Sequence, residues 1–445
     1  MKKLISGLFF LLGIFCTMIV FKPYIFGIPV PVVHLLTFSI LILMLINCNF
    51  KIDKSIFKSK LIIFFYVLLI SSILSIFFLP SVWSKKSLSY AIQLCIIWLP
   101  FLILLYSNTD KFLYKKSFLK GFKISILIHT IWGTLEVILW NTIKFKLNEE
   151  ILAPLLKTNL AHHPTSFTYV SGSFHIRPSG INFEPAYLGI LLLIGFFIIK
   201  SKLVKIFFIF LMIVSLSRTA ILGLLLISIY KIITNRKKYK NLLKPMVVSL
   251  SFIIIFFICL QKIPFLQERV STLTSRMTSV TDDTSKDGTD RHLLYYPLSI
   301  KIMMSDANVL QLFLGYGARI SGYPFQANSA IAEKIRVENF VPGWSVESDL
   351  VDIFLSSGLI GFFLYYTLLL SNIKLIKDNN LLIMNLSLLI CGITYGFYSL
   401  TFFTLILIFS EIEKLSVIEN YSENKLKIPN ESNNVINSTI IENNI

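Results

Sequence analysis

An arginine and a glutamate stand close together in HIRPSGINFEPAYLG, directly before a long apolar run. Arg177 carries a planar guanidinium, which binds phosphate through two parallel hydrogen bonds. Glu184 carries a carboxylate that could take a proton from a hydroxyl group within hydrogen-bond reach. Ionisable side chains at a membrane edge are costly, so both residues are candidates for a functional site. An acid followed by proline is also a common helix start, and that interpretation of Glu184 and Pro185 stays open.

The elements that position these residues are membrane-spanning helices. Hydrophobic residues make up 55% of the 445-residue chain, in repeated continuous runs of the roughly 20 residues that a bilayer core requires. Only helices or closed barrels satisfy their backbone groups in lipid, and continuous runs indicate helices. The first run lacks a small-residue cleavage site and is interpreted as a span rather than a signal peptide. The sequence predicts an all-α polytopic membrane protein with about twelve spans: 4–22, 25–46, 61–79, 88–106, 119–140, 185–199, 203–217, 219–233, 245–261, 349–370, 381–397 and 399–413.

Lysines predict the orientation of these spans. The connections at 47–60, 107–123, 200–205, 231–244 and 371–380 are lysine-rich, and the positive-inside rule makes them cytoplasmic together with both termini. Two long loops, about 141–184 and 262–348, then lie on the outer side. Residues 1–415 form a single transmembrane domain, and the polar, asparagine-rich segment 416–445 is predicted to be a disordered cytoplasmic tail.

Arginines are distributed differently from lysines. Seven of the eight arginines fall on the predicted outer side, whereas only 10 of the 34 lysines do. Because arginine binds phosphate through a fixed fork and stays charged when partly desolvated, this distribution favours a phosphate-bearing ligand on the outer face. Arg218, in SLSRTAILG, stands between two spans with almost no loop around it. It either faces the bundle interior or reaches to the lipid headgroups, and ordinary surface ion pairs remain an alternative for the loop arginines.

Other site classes receive little support. The five cysteines lie in or at the edges of apolar runs, which indicates neither a disulfide framework nor a cysteine-based metal site. His162 and His163 are adjacent, so on a regular element they diverge and make a poor metal site. The net charge of +18 is divided among short loops, which favours topology and contact with anionic membrane lipids over a nucleic-acid partner.

Several buried or loop features carry their own expectations. Glu136 lies within a predicted span, where either an arginine or histidine partner or exposure at the outer edge would explain it. His129 is expected to be a hydrogen-bonded packing residue. The segment RHLLYYPLSIKIMM is too apolar for a free loop and predicts a helix lying on the membrane or on the bundle. The following GYGARISGYP is rich in turn residues and predicts a flexible segment.

Four stretches together resemble the O-antigen ligase and Wzy-type polymerase superfamily of polytopic bacterial membrane enzymes. They are RPSGINFEPAYLG before a span, SLSRTAILG, DRHLLYYPLSIKIMMSDANVLQLFLGYG and ESDLVDIFLSSGLIG. The general plan, with many spans and a large outer loop before the last helices, covers most of the chain. The resemblance implies an enzyme of the bacterial inner membrane that handles undecaprenyl-diphosphate-linked glycans at its outer face. O-antigen or capsule synthesis, with a chain-length regulator and a flippase as possible partners, would follow from it.

Two departures from the family pattern bear on the reaction. Ligases usually carry His-Asn eleven positions before the first glycine of G-[LI]-[IL]-G; here Gly358 is that glycine, and Glu347 and Ser348 occupy the two positions. This departure favours a polymerase over a ligase. The paired arginine motifs described for some polymerases, with a glycine eleven residues after each arginine, are also missing. That second departure weakens the transfer of site residues from the family to this chain.

The resemblance, combined with side-chain chemistry, yields a set of site residues. A polymerase would transfer a glycan from its lipid diphosphate to a sugar hydroxyl, and Arg177, Arg218 and Arg291 are predicted to stabilise the departing diphosphate without a metal or cofactor. Glu347 and Asp349 are the first candidates for the catalytic base, and Glu184 is the second.

Simpler interpretations and other functions remain open at this point. Asp349 and Asp352, like Glu184, also suit a helix N-terminus. The alternative functions are a ligase of the same superfamily and a lipid-linked oligosaccharide transporter. The transporter fits the number of spans, but the sequence shows no two-fold repetition, and its two long outer loops are of unequal length.

Overall fold

The computed structural model describes residues 1–18, 20–22, 24–25, 28–47, 52–156, 167–170, 173–182, 184–234, 288–328, 331, 346, 348–396 and 401–426. Helices dominate this part of the chain. The longer helices are α1 (Lys2–Phe15), α2 (Val32–Asn47), α3 (Lys60–Phe78), α4 (Ser81–Gln93), α5 (Leu99–Ser107), α6 (Lys111–Ile143), α7 (Pro185–Ile198), α8 (Lys202–Val214), α9 (Arg218–Thr234), α10 (Gly288–Lys301), α11 (Asp349–Leu375), α12 (Asn379–Cys391) and α13 (Thr401–Leu426).

Short elements connect these helices. One-turn helices cover Ala153–Leu156, Val309–Leu314 and Gly322–Ala327, a 3-10 helix covers Lys54–Lys58, and π-helical turns cover Leu94–Trp98, Asn148–Leu152 and Ile302–Asp306. The described residues include two antiparallel hairpins. In the first, β1 (Tyr24–Ile25) pairs with β2 (Ile28–Pro29). In the second, β3 (Phe167–Val170) pairs with β4 (Ser173–Ile176), with Phe167 opposite Ile176, and this hairpin ends directly before Arg177.

Four of the described helical segments are long and apolar enough to cross a membrane: Lys60–Phe78, Ser81–Ser107, Lys111–Ile143 and Asp349–Leu375. The second of these joins α4 and α5 through the π-helical turn. Three of them contain a predicted span and Lys60–Phe78 covers all but the last residue of 61–79, while α2, α7 and α12 are shorter apolar helices at further predicted spans. The count of twelve stays a prediction. Span 245–261 lies outside the described residues, and α1 ends at Phe15, well before the predicted boundary at 22.

The lysine-rich connections meet at one end of the bundle. Lys115 of α6 forms ion pairs with Asp378, just before α12, at 3.2 Å, and with Glu413 of α13 at 2.6 Å. Lys2 of α1 pairs with Asp110. These contacts confirm that the N-terminus and the connections near 110 and 378 share one side. That this side is cytoplasmic remains a prediction.

The chain continues as helix past the predicted domain boundary at 415. Ser55 Oγ donates a hydrogen bond of 2.9 Å to Glu419 Oε1 of α13, so this part of α13 is attached to the same lysine-rich end. The predicted disordered tail beyond Leu426 lies outside the described residues.

Helix α11 is broken at Gly358, whose φ of 61° and ψ of −164° are not helical. The break frees carbonyl groups that would otherwise bond within the helix, and lipid offers no replacement partner. A crossing backbone segment supplies it: Tyr316 N–H donates to the Leu355 carbonyl at 2.7 Å, and Gly317 N–H donates to the Ser356 carbonyl at 3.1 Å. Gly315 and Gly358 allow the two backbones to touch. A Cβ on Gly315 would lie 2.4 Å from the carbonyl carbon of Ser356, and a Cβ on Gly358 would lie 2.4 Å from the carbonyl carbon of Phe313.

The crossing corrects one prediction from the sequence. GYGARISGYP was expected to be a flexible turn, but residues 315–318 are buried and bonded to α11. Its glycines serve a close approach between two backbones. The segment RHLLYYPLSIKIMM was predicted to form a helix on the membrane or on the bundle. This prediction is confirmed, because most of the segment lies in α10, which packs on the bundle. Its Tyr295 and Leu298 belong to one apolar cluster with Val351 and Leu355 of α11.

Candidate active site

The turn after α12, residues 392–396, is the meeting point of several helix starts at the end of the bundle remote from the lysine-rich connections. The Tyr395 hydroxyl donates a short hydrogen bond to Glu184 Oε2, directly before α7. Thr394 Oγ1 lies 2.8 Å from Thr219 Oγ1 in the first turn of α9. This turn therefore joins Glu184 to the helix that begins with Arg218.

The same turn also holds the start of α11. The backbone N–H of Asp349 donates to the carbonyl of Gly392 at 2.8 Å and to that of Tyr395 at 3.3 Å. Ser348 Oγ donates to the Ile393 carbonyl at 2.7 Å. Tyr296 of α10 donates a short hydrogen bond to that same carbonyl. Helix α10, which carries Arg291, thus contacts this turn through Tyr296.

Two predicted phosphate ligands adjoin a second turn, residues 215–217. The Arg177 Nε donates a 3.0 Å hydrogen bond to the Ser215 carbonyl, and the Arg177 side chain is partly buried. Leu216 has a left-handed φ of 54°, which ends α8 sharply. Arg218 begins α9 directly after this turn and is partly exposed. Arg177 and Arg218 are therefore neighbours of one turn, although 40 residues separate them in the sequence.

The predicted bases differ in exposure. Glu184 is partly exposed, whereas Asp349 and Asp352 are each 1% exposed. A base must reach the hydroxyl it deprotonates, so the exposed carboxylate is the better placed. The Glu184 side chain makes no capping hydrogen bond in the described structure, and bonds to Tyr395 instead. Asp349 and Asp352 occupy the first turn of α11, in agreement with a helix-dipole role.

Two predicted site residues cannot be placed as side chains. Glu347 lies outside the described residues, and for Arg291 only the backbone, within α10, is described. The neighbours of Glu347 are anchored: the Val346 N–H donates to Ser321 Oγ at 3.0 Å, and Ser348 bonds to the turn after α12. The structure thus brings together Arg177, Arg218, Glu184 and Asp349 around two adjoining turns.

Sequence reasoning missed Tyr395, and it missed the contact that Tyr296 makes with the turn at 392–396. Tyr395 falls in a predicted span, where a tyrosine is expected to anchor at the interface or to pack. The available signal was the pair of glycines at 392 and 396, which separates the last two apolar runs and predicts a turn. Tyr296 stands in YYP within α10, and no local pattern distinguishes it from Tyr295.

Arg319 is a further cation at this end. Its φ of 58° is left-handed, and its guanidinium lies 5.3 Å from the centre of the Tyr90 ring. Burial and the nearby Arg319 lower the pKa of Lys22. Arg319 is one of the seven arginines that the sequence assigned to the outer side, and Lys22 lies near it.

A buried network on α6 holds the segment that carries Arg177. Glu136 is 2% exposed, and both of its carboxylate oxygens accept hydrogen bonds. Oε2 accepts from the backbone N–H of Ser179 at 3.1 Å and of Gly180 at 2.8 Å, and Oε1 accepts from Asn148 Nδ2 at 2.8 Å. The expectation of an arginine or histidine partner, or of exposure, is therefore wrong, because backbone N–H groups and the Asn148 amide bond to its carboxyl oxygens.

His129 completes this network as a packing residue, as predicted. Its Nδ1 accepts from the Ile181 N–H at 3.1 Å, which leaves Nε2 to donate to Thr17 Oγ1 at 3.1 Å. Three consecutive backbone N–H groups, at 179–181, are thus bonded to α6 side chains. The segment after Arg177 is held rigidly, and this restricts where the guanidinium can point.

Glu136→Gln is expected to destabilise the protein and to reduce its activity. The glutamine side chain would place an amide N–H opposite a hydrogen-bond donor that needs an acceptor. A buried donor left without an acceptor destabilises the folded protein by about 1–3 kcal/mol. We expect a lower unfolding temperature in detergent and a lower transfer rate. Thr142→Ala, at an exposed position of the same helix, is the matched control and should change neither. An unchanged unfolding temperature for Glu136→Gln would contradict the network.

Comparison with known proteins finds a family match for part of the chain. Residues 203–366 match the family model Wzy_C, described as O-antigen ligase, and no curated protein matches the chain. The match confirms the resemblance to the O-antigen ligase and polymerase superfamily, whose members are glycosyl-transferring enzymes acting on lipid-linked glycans. The matched segment contains Arg218, Arg291, Glu347 and Asp349. Arg177 and Glu184 precede it; Arg177 bonds to Ser215 within the matched segment, whereas Glu184 bonds to Tyr395, which follows that segment.

Proposed function

The chain matches the O-antigen ligase family over residues 203–366, and on that premise we propose that it polymerises undecaprenyl-diphosphate-linked oligosaccharide repeats at the outer face of the bacterial inner membrane. The observation that carries the proposal is the convergence of Arg177, Arg218 and Glu184 at one end of the bundle. Helices α11 and α12 run between this end and the lysine-rich end. The reaction requires cations that bind the diphosphate and a carboxylate that accepts the proton of the acceptor hydroxyl.

The proposed reaction is a glycosyl transfer. The hydroxyl oxygen of the acceptor sugar attacks the anomeric carbon of the donor glycan, and the bond from that carbon to the diphosphate oxygen breaks. Undecaprenyl diphosphate leaves with the electron pair, and the acceptor proton passes to the base. Arg177, Arg218 and Arg291 stabilise the charge on the departing diphosphate, so we propose a metal-independent reaction. Arg319 and Lys22 are further candidates for the same anion.

Glu184 becomes the favoured base, with Glu347 and Asp349 as alternatives. Partial exposure of Glu184 supports access to substrate, and the Tyr395 hydroxyl fixes the orientation of its carboxylate. Burial of Asp349 favours a structural role at the start of α11. Glu347 stays a candidate for the catalytic base because it occupies the position where ligases of the family carry histidine.

A ligase is the second candidate, since the matching family model is described by that activity. Ligase and polymerase share the donor and differ in the acceptor, which is lipid A core for the ligase and another lipid-linked repeat for the polymerase. The glutamate at position 347, in place of histidine, favours the polymerase.

Deleting the gene from its host separates the candidate functions. We expect lipid-linked glycan of one repeat to remain and long-chain polymer to disappear, as seen by electrophoresis of the extracted glycans. Long chains that persist without reaching lipid A would establish the ligase instead. Repeats that accumulate on the cytoplasmic side would establish a transporter.

Plasmid copies with Arg291→Ala or Glu347→Ala should fail to restore polymer at normal protein level, and restoration would remove that residue from the site.

A further inference from the structure

A pocket of about 500 Å³ opens beside the crossing of α11, and none of the described residues that line it belongs to the two turns of the candidate active site. Its polar lining includes Asp306, Gln311 and Asn328, and its aromatic lining is Phe78, Tyr316 and Tyr323. The end of α3, at Phe78 and Leu79, closes one side. A carboxylate and two amides lie beside tyrosine rings here, and the proposed reaction assigns no role to any of these groups.

The polar groups of the pocket are held in fixed orientations. Asp306 accepts hydrogen bonds from Ser305 Oγ at 2.7 Å and from Asn328 Nδ2 at 2.8 Å, and these bonds hold the pKa of its carboxyl below the usual range. Gln311 is oriented by a capping box, in which its side-chain oxygen accepts from the Asn308 N–H at 3.0 Å. A fixed carboxylate next to fixed amides can bind two neighbouring hydroxyl groups of one ring.

The aromatic groups are equally constrained. Tyr323 packs against Trp83 with ring centres 5.5 Å apart and a T-shaped geometry. The Tyr316 backbone is bonded to the Leu355 carbonyl at the helix break, and burial raises the pKa of its phenol to about 12. Its hydroxyl therefore stays protonated as a hydrogen-bond donor and acceptor. Tyrosine combines an apolar ring face with this polar tip, which suits a ring that is apolar on one face and hydroxylated at its edge.

The pocket is connected to the candidate active site through two contacts. Ser321, in the segment that lines the pocket, accepts the Val346 N–H just before the start of α11. Phe325 of the same segment packs edge-to-face against Tyr295 of α10, with ring centres 5.3 Å apart. The next residue, Tyr296, bonds to the turn that holds Glu184. One helix, α10, thus contacts both the pocket wall and the active-site turn.

We infer that this pocket is a binding subsite for one sugar ring of the glycan substrate, a ring without negative charge. The inference rests on the proposed function for the identity of the glycan. Asp306 repels phosphate and acidic sugars, whereas neutral or amino sugars offer the hydroxyl or amine donors that a carboxylate accepts. The subsite holds the glycan at a distance from the reacting bond, so it contributes to affinity and chain length rather than to the chemical step.

The test uses the full chain in a zwitterionic detergent, because maltoside detergents carry a competing sugar. The probe is the repeat-unit oligosaccharide released by mild acid from lipid-linked glycan of the host, titrated while tryptophan fluorescence is recorded. Tyr323→Ala and Asp306→Ala should each raise the Kd by about tenfold or more. Val309→Ala, 72% exposed on the neighbouring helix and not part of the lining, should bind like the wild type.

Arg218→Ala separates this inference from the proposed function. It should abolish transfer and leave oligosaccharide binding unchanged, since Arg218 lies at the other site. Wild-type affinity in both Tyr323→Ala and Asp306→Ala, or no binding of the oligosaccharide by the wild type, would overturn the subsite. If the deletion strain establishes a transporter or a ligase while Tyr323→Ala still weakens binding, the subsite stands and the polymerase proposal falls.

Discussion

Glu184→Gln is expected to lower the rate of polymerisation by about 10²–10⁴-fold, the range over which a general base contributes. The glutamine side chain has the same shape, and its carbonyl oxygen can still accept the hydrogen bond from Tyr395. It cannot take the proton from the acceptor hydroxyl. The measurement is transfer between lipid-linked repeats by the purified protein. The kcat should fall while the KM for the donor changes little, because the diphosphate is bound by arginines.

Two variants control this prediction. Tyr395→Phe removes only the hydroxyl that orients the carboxylate, so it should reduce kcat by less than Glu184→Gln does. Asp349→Asn is expected to act mainly on protein stability, since Asp349 is buried at the start of α11. Near wild-type turnover in Glu184→Gln, combined with lost turnover in Glu347→Gln, would transfer the role of base to Glu347.

Gly358→Ala is expected to remove most of the folded protein from the membrane. At φ 61° and ψ −164° a residue with a side chain is strained, at a cost of about 1–3 kcal/mol. The added Cβ would also lie 2.4 Å from the carbonyl carbon of Phe313, a backbone atom that cannot turn aside. The backbone crossing that satisfies the carbonyls of Leu355 and Ser356 would have to separate. Protein level in membranes and the unfolding temperature in detergent are the measurements.

Matched variants make the second prediction specific. Gly315→Ala acts on the other backbone of the crossing, where φ is 80° and the Cβ would meet Ser356, and it should cause a similar loss. Gly7→Ala lies in α1 with open space around its Cβ, and should be neutral or slightly stabilising because alanine favours helix. A Gly358→Ala protein with wild-type level and unfolding temperature would contradict the crossing.

Sequence reasoning located most of the helices because apolar runs leave few alternatives. The predicted span at 61–79 corresponds to α3 at Lys60–Phe78, and the span at 185–199 corresponds to α7 at Pro185–Ile198. The prediction failed where tertiary contacts compete with hydropathy. At the end of α1, Thr17 bonds to His129 of α6, and the helix stops at Phe15 in the middle of the apolar run.

The site was only partly predictable for the same reason. Arg177, Arg218 and Glu184 could be identified because ionisable groups beside apolar runs require an explanation. Their partners carried no local signal. Tyr395 lies 211 residues from Glu184, and Glu136 bonds to N–H groups that every residue except proline possesses.

The amino-acid sequence by itself determined which segments become helices and which kinds of charge stand at their ends. Burial of apolar surface and internal satisfaction of backbone groups depend on local composition, so they can be seen in a one-dimensional pattern. Only the tertiary structure decided that Arg177 lies beside the turn before Arg218, that Glu184 is oriented by Tyr395, and that α11 breaks where Gly315 crosses it. These contacts join groups distant in the chain, and their geometry depends on how the helices pack together.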